Sequence, residues 1–221
     1  DLLDKTTLIE GVREYLPGYI LSDRSLYKYL FRANIIPDFI STRLMSRLPL
    51  DGQEIDSYGL SSADIKIFKL KDDIKLLYHV TPPELGLSED LYDLLSLARS
   101  VLAEHKPREE ESLDSEKMRR TFVNIGTDLI LELAASKGYE IDYQDVEKVA
   151  QILVRYTVGF GMIEILLEDE KVQDIVVNSP IGQTPMYIVH QDYGDCVTNI
   201  QPGFDDAESW ATKFRLFSGR P

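Results

Sequence analysis

The stretch Arg155-Tyr-Thr-Val-Gly-Phe-Gly-Met-Ile-Glu-Ile-Leu-Leu-Glu-Asp-Glu170 joins a predicted helix to a predicted strand. The apolar residues that precede it recur at helical spacing and stop at Gly159 and Gly161, as expected for a helix end followed by a tight turn. A short helical turn is then predicted from Ile163 to Leu167, and a strand over Val172–Asn178. This order of helix, glycine turn and strand organises the second half of the chain.

Beyond this strand, two apolar runs indicate a hairpin, Met186 to His190 and Asp195 to Ile200, with Gln191-Asp-Tyr-Gly194 as its turn. A last helix is expected after a cap at Asp205 or Asp206. Its apolar side comprises Ala207, Trp210, Ala211, Phe214 and Phe217. Gly219 is expected to end this helix and Pro221 to begin a linker.

Upstream of the glycines, the sequence predicts two amphipathic helices. The first runs from Ser115 to Lys137 and is followed by Gly138, a residue suited to a left-handed C-terminal cap. Asp142 is expected to cap the second. The predicted core stripes are Phe122, Ile125, Leu129, Ile130 and Leu133 in the first helix, and Val146, Val149, Leu153 and Thr157 in the second.

In the first half of the chain, the spacing of the apolar residues changes near residue 51, from helical to alternating. Before it, a helical bundle is predicted, whose third short helix covers Phe39 to Leu48. After it, apolar and charged residues alternate over Ala63–Leu70, and a second run follows over Ile74–Val80, which indicates a hairpin. A helix capped by Ser88 is expected to extend to about His105.

These elements predict an α+β fold in two subdomains, because helices and strands are grouped rather than regularly alternating. The first subdomain, 1–107, contains a helical bundle (1–50) and a hairpin with a helix (60–105). The second, 108–221, has the order helix, helix, three strands, helix. We place the boundary at the apolar-free stretch after Pro107.

The charge of the chain argues against nucleic-acid binding. The net charge is -14, and phosphate backbones repel such a surface. Residues 1–50 are an exception, with seven Lys or Arg and six Asp or Glu, so the acidity lies almost wholly in the remainder. The first fifty residues are therefore a distinct electrostatic unit.

Other common classes of site are not indicated by the sequence. The single cysteine, Cys196, permits no intrachain disulfide and is expected to be a small buried side chain. The three histidines are widely spaced and predict no zinc site. No apolar stretch is long enough to span a bilayer and no secretory signal is recognisable, so a cytoplasmic location is expected.

Sequence motifs for catalysis are also missing. A phosphate-binding loop needs G-x-x-x-x-G-K-[ST], and neither a lysine nor a hydroxyl follows Gly159-Phe-Gly161. The carboxylates cluster in contiguous runs at turns and helix ends, as expected for caps and solvated surface. No catalytic residue and no bound cofactor is therefore predicted, and we do not expect these residues alone to hydrolyse ATP.

Two arginines at the end of the chain have two interpretations, and a third has one. Arg215 and Arg220 lie at the end of the last helix, where they either interact with the helix dipole or face a nucleotide held against a following domain. Arg155 precedes the glycine turn, and a salt bridge to a neighbouring acid is its default interpretation. The sequence leaves the choice for Arg215 and Arg220 open.

Residues 153–178 resemble the N-terminal region of type II and type IV secretion ATPases, which share a glycine turn, "IE-x-LL-x-D" and "V-x-DI-x-VN". The archaeal branch, with its archaellum and pilus motors, is the most similar. Further matches are Val80-Thr-Pro-Pro83, the hairpin from His190 to Asn199, the helix through Lys213 and the final Ser218-Gly-Arg-Pro221. The resemblance is strong over 145–221, moderate over 75–105 and weak over 1–60.

The resemblance implies the N-terminal assembly and coupling module of a hexameric motor at the cytoplasmic face of the cell membrane. In the family, a following domain carries the catalytic residues and uses ATP and magnesium, and the N-terminal half moves against it as a rigid body. The motor powers assembly of a pilus or archaellum, or protein export. None of this chain's 221 residues matches that catalytic core.

The family's usual partner is a polytopic membrane platform protein. The near-neutral first fifty residues would suit docking to it, with Arg24, Arg32 and Arg43 as contributing residues. The alternative hypothesis is a stand-alone adaptor that uses the same fold to bind proteins without any motor.

Overall fold

The computed structural model describes residues 41–45, 48–49, 52–71, 73–104 and 115–218. These residues belong to one compact unit, which spans residues 36–221. The helices predicted within residues 1–40, together with Arg24 and Arg32, lie outside the described residues, as does the linker predicted after Pro107.

The described residues contain eight strands, one 3₁₀ helix and five α-helices. The first half holds β1 (Arg43–Leu44), β2 (Gln53–Gly59), β3 (Asp64–Lys69), β4 (Leu76–Thr81), the 3₁₀ helix (Pro83–Gly86) and α1 (Glu89–Glu104). The helices α2 (Ser115–Lys137), α3 (Tyr143–Thr157) and α4 (Ile163–Glu168) follow. The chain then forms β5 (Val172–Val176), β6 (Tyr187–His190), β7 (Gly194–Thr198), β8 (Ile200–Gln201) and α5 (Phe204–Ser218). This mixture confirms the predicted α+β class.

Six strands form one sheet in the order β2-β3-β4-β7-β6-β5. Neighbours are antiparallel except β4 and β7, which pair in parallel with Leu76 opposite Cys196. The parallel pair joins the two predicted hairpins, β3–β4 and β6–β7, both of which are confirmed. Strands from both sides of residue 107 therefore share one sheet, and the structure does not divide at the predicted boundary.

The prediction of a helix from Phe39 to Leu48 is wrong where the structure describes it. Arg43 and Leu44 form β1, which pairs antiparallel with β8. Asn199 holds this segment, because its side-chain amide donates to the carbonyl oxygens of Met45 (3.0 Å) and Val80 (2.9 Å). These long-range hydrogen bonds outweigh the local helical pattern.

Strand β2 was not predicted, because its sequence, Gln-Glu-Ile-Asp-Ser-Tyr-Gly, lacks a continuous apolar face. It lies at one edge of the sheet and is mostly exposed. Only Asp56 and Tyr58 are half-buried, so a buried strand pattern cannot arise.

The helices α1, α2 and α3 enclose a second apolar core, separate from the one between the sheet, α4 and α5. The stripe predicted for α3 is confirmed at Val146, Val149 and Leu153, all fully buried. The stripe predicted for α2 is confirmed at Ile130 but not at Ile125, whose side chain is 45% exposed. Helix α2 instead approaches α3 through Gly126, where a Cβ atom would lie 3.4 Å from Leu153 Cδ2.

The predicted caps of these helices are confirmed. Gly138 has φ +73°, the left-handed conformation expected after α2. Asp142 accepts a hydrogen bond from the Gln144 amide at 3.2 Å and so caps α3. Among the described residues, no helix is both long and apolar enough to cross a membrane.

Candidate functional site

The turn Gly159-Phe160-Gly161, hereafter the glycine turn, connects α3 to α4. Gly161 has φ +65°, which favours glycine. At Gly159 a Cβ atom would lie 2.8 Å from the Arg155 carbonyl oxygen, so the close approach of the chain also requires glycine there. The structural interpretation of the two glycines, a helix end with a close-packed turn, is confirmed.

The last helix, α5, is fastened to the glycine turn by three side chains. The indole Nε1 of Trp210 donates to the Phe160 carbonyl oxygen at 2.6 Å. The Lys213 ammonium donates to the Gly159 carbonyl oxygen. The ring of Phe214 stacks on that of Phe160, with centroids 4.9 Å apart and planes 19° apart. Two hydrogen bonds and one stacked pair therefore fix α5 to the glycine turn within little more than one helical turn, Trp210 to Phe214.

Lys213 neutralises the end of helix α3. Its ammonium lies at a carbonyl just beyond the last turn, where a cation interacts favourably with the helix dipole. Burial lowers the pKa of Lys213, and the carboxylates of Glu164 and Asp206 oppose that effect. The two acids thus favour the charged form of this partly buried amine.

Glu164 also holds the glycine turn. Its Oε2 accepts a hydrogen bond from the Phe160 amide at 3.1 Å, while its Oε1 forms an ion pair with Arg119 of α2. One carboxylate therefore links α2, the glycine turn and α4. These contacts hold the turn from α4 and α2, in addition to the contacts from α5.

A buried ion pair anchors α3 to the opposite half of the sequence. Arg155 donates to Glu84 Oε1 at 2.6 Å, and the two side chains are only 4% and 3% exposed. Glu84 lies in the 3₁₀ helix directly after Val80-Thr-Pro-Pro83. The predicted salt bridge of Arg155 is confirmed, with a partner 71 residues away in sequence.

A cleft of about 720 Å³ opens beside the glycine turn, between α2, α3, α4 and the loop that joins β2 to β3. Three arginines line it: Arg119 pairs with Glu164 and Arg155 with Glu84, while Arg120 is exposed. The hydroxyls of Ser61 and Ser62 both donate to the Glu168 carboxylate. These pairs favour holding elements together over cradling a phosphate.

A second polar cluster lies around the Asp169 carboxylate, where α4 turns into β5. Both tyrosine hydroxyls, of Tyr58 and Tyr78, donate to Asp169 Oδ2 at 2.6 Å, and the Lys171 amide donates to Oδ1 at 2.9 Å. Burial, reinforced by the Asp169 carboxylate, raises the pKa of both tyrosines. The hydroxyls therefore remain protonated donors, and the cluster ties the sheet to α4.

His190 completes this cluster as a neutral ring. Its Nδ1 accepts from the Asp192 amide at 3.1 Å, so the proton resides on Nε2, which lies 3.1 Å from the Tyr58 hydroxyl oxygen. Burial lowers the pKa of His190, although the nearby carboxylate of Asp169 opposes this. The ring thus serves as a hydrogen-bonded core side chain.

The arginines proposed from sequence lie on separate elements. Arg215 is exposed in the last turn of α5, next to the stacked Phe214, and Arg43 is exposed on β1. Arg220, like Arg24 and Arg32, is outside the described residues. A nucleotide contact by Arg215 and partner docking by Arg43 remain predictions.

The single cysteine and possible metal ligands were also considered from the sequence. Cys196 is fully buried on β7, and burial raises the pKa of its thiol, as expected for a small core side chain. Across the part of the chain that the structure describes, no group of three or more His, Cys, Asp or Glu could hold a metal ion.

Several residues of the site were missed by sequence reasoning. Lys213 lies three positions after Trp210 on the same side of α5, so its helical spacing could have indicated it. Glu84 and Asp169 gave no such signal, because their partners are 71 and more residues away. Only the folded chain brings these groups together.

A comparison with known protein families gives no match. Among curated proteins, the chain is similar to an uncharacterized protein of Methanocaldococcus jannaschii, with 29% identity over 91 residues. The match covers 41% of this chain and 34% of that protein, so the chain spans only about a third of the relative's length. This similarity assigns neither a family nor an activity.

Proposed function

We propose that the chain is the N-terminal assembly and coupling module of a hexameric secretion-type ATPase. In this proposal the module passes ATP-driven domain motion to a membrane platform protein and so powers pilus, archaellum or export machinery. Its location would be the cytoplasmic face of the cell membrane. ATP and magnesium would be bound mainly by a catalytic domain elsewhere in the protein.

The observation that carries the proposal is the attachment of α5 to the glycine turn. A coupling module must transmit displacement without deforming, and α5 is held to the glycine turn by Trp210, Lys213 and Phe214. Glu164 accepts a hydrogen bond from the glycine turn and pairs with Arg119, which links the turn to α4 and α2. A force on α5 would therefore move α3, α4 and α2 together.

The electrostatics of the adjacent cleft support the same function. A site for nucleotide hydrolysis needs cations or backbone donors aimed at phosphate. Here Arg119 and Arg155 are engaged with carboxylates of the chain itself. This arrangement supports a mechanical element better than an independent nucleotide site.

The reading frame that encodes these residues provides the test. We expect it to continue into a domain with G-x-x-x-x-G-K-[ST], and the complete product to form a hexamer that hydrolyses ATP with magnesium. The fragment 1–221 should show neither tight ATP binding nor hydrolysis. A complete product without ATPase activity, or tight ATP binding by 1–221 alone, would contradict the proposal.

An adaptor without motor activity is the second candidate, favoured by an open apolar groove beside β5. A protein-binding groove is useful to an adaptor whether or not a catalytic domain is present. A stop codon directly after Pro221, with partner binding retained, would favour the adaptor over the motor.

A further inference from the structure

Strand β5 lies at the end of the six-stranded sheet. It pairs with β6 on one side, and among the described residues no strand pairs with its other side. The register with β6 shifts between Val172 and Asp174, and Asp174–Val176 form the regular part of the edge. The outer amides and carbonyls of this segment are therefore available to another strand.

A groove of about 590 Å³ runs along this edge, hereafter the β5 groove. Four successive residues of the strand, 172–175, line it. Asp174 and Ile175 lie beyond the register shift and point to opposite faces, so a groove lined by both reaches the edge of the strand. The space thus lies where an added strand would pair.

The wall opposite the strand edge is apolar. It is formed by residues of α4 and α5: Ile163, Leu166, Leu167, Trp210, Ala211 and Phe214. The side chains of Leu167 and Phe214 remain 50% and 42% exposed. An added strand would cover them with its own alternate side chains, and that burial is favourable.

The negative charge in the β5 groove favours a basic partner segment over a second copy of this chain. Asp174 is the charged residue among those that line it, and its side chain is exposed. It is also the middle residue of β5. An antiparallel pair of two identical β5 strands, centred on the strand, would place Asp174 against Asp174, and like charges in that position are destabilising. The groove therefore favours a different, basic partner over a second copy.

We propose that the β5 groove binds an extended segment of a partner protein that adds a strand to the sheet. The segment would place apolar side chains against α4 and α5 and a Lys or Arg opposite Asp174. Backbone pairing provides affinity in this mode, and the side-chain pockets provide specificity. The inference does not depend on a motor domain.

Synthetic peptides titrated into the isotope-labelled 221-residue chain test this inference. The probe is a blocked seven-residue peptide of alternating valine and threonine with a central lysine, and the control has a central glutamate. We expect the lysine peptide to shift the backbone amide signals of Val172–Val176 and to bind about fivefold more tightly. The variant Asp174→Lys should reverse the preference.

Two further measurements separate strand pairing from loose apolar contact. N-methylation of the peptide amides that face β5 should abolish binding, whereas methylation of the alternate amides should leave it intact. Far-UV circular dichroism should show that Asp174→Lys remains folded. The inference is overturned if neither peptide shifts β5, if Asp174→Lys leaves the preference unchanged, or if dilution alone moves the β5 signals, since the last result means a second copy.

Discussion

The two sides of helix α4 differ in how much of their polar and apolar surface is in contact with other parts of the chain. On the side of the glycine turn, Glu164 is engaged with Phe160 and Arg119, and α5 is fastened nearby. On the other side, α4, α5 and the edge of β5 line an open groove. The first side is built to hold α5 in place, and the second leaves apolar surface and strand edge for a partner.

The side of the glycine turn, hereafter the closed side, should be more sensitive to substitution than the side of the β5 groove, hereafter the open side. The buried ion pair of α3, Arg155 with Glu84, should be the most sensitive of all. Arg155→Met leaves the Glu84 carboxylate buried without its counter-ion, which should lower the free energy of unfolding by about 3–5 kcal/mol. Urea unfolding measures the loss. The double variant Arg155→Met/Glu84→Gln should recover much of it, and an equal loss in both variants would mean that the unpaired charge is not the cause.

The glycine turn should be the next most sensitive. Gly159→Ala forces a Cβ atom to within 2.8 Å of the Arg155 carbonyl oxygen, and overpacking of this kind should cost about 2–3 kcal/mol. Gly138→Ala is the matched control, since only its positive φ resists the change, at about 1 kcal/mol. Thermal unfolding that ranks the two variants in reverse would refute the close-packing argument.

The sequence predicted the closed side in part, because its main feature is local. Two glycines after a helical stripe predicted the turn, and the helical spacing of α5 placed Trp210 on its inner side. The partners of Arg155 and Asp169 could not be found this way, since they come from elements far away in sequence. Local patterns fix helices and turns, whereas long-range hydrogen bonds fix which side chains meet.

The wrong prediction of a helix around Arg43 also shows that long-range hydrogen bonds can override a local pattern. The local pattern there favours a helix, but Asn199 bonds to Met45 and the segment becomes a strand. The open edge of β5 was equally out of reach, because strand order cannot be read from alternation alone. The strand was predicted, but its position in the sheet was not.

The Asp169 cluster should respond to pH through His190. Its pKa is lowered in the folded chain, so below the ordinary value of about 6.5 the unfolded chain binds more protons. Stability should therefore fall as the pH is lowered from 7.5 through about 6.5 to 5.5. Urea unfolding at several pH values measures this slope. The variant His190→Gln should flatten it, and an unchanged slope would show that other groups dominate.

The attachment of α5 should contribute a smaller stability effect than the ion pair and the glycine turn. Trp210→Phe removes one hydrogen bond to Phe160 and should cost about 1 kcal/mol while leaving the ring packed. In this variant, hydrogen exchange should be faster in α5 than in α3.

On the open side, Asp174→Lys changes an exposed residue and should alter stability by less than about 0.5 kcal/mol. A larger loss there would mean that the groove is structurally closed.

The central claim, that α5 and the glycine turn move as one body, is tested most directly by a distance between spin labels on α3 and α5. Glu147 and Ser209 are exposed positions for them, and the buried Cys196 should stay unlabelled. In the complete protein we expect one narrow distance distribution that is the same with and without ATP, and a broad one in Trp210→Phe/Lys213→Met. If the protein that keeps Trp210 and Lys213 gives a broad distance distribution, or one that changes with ATP, the account is contradicted.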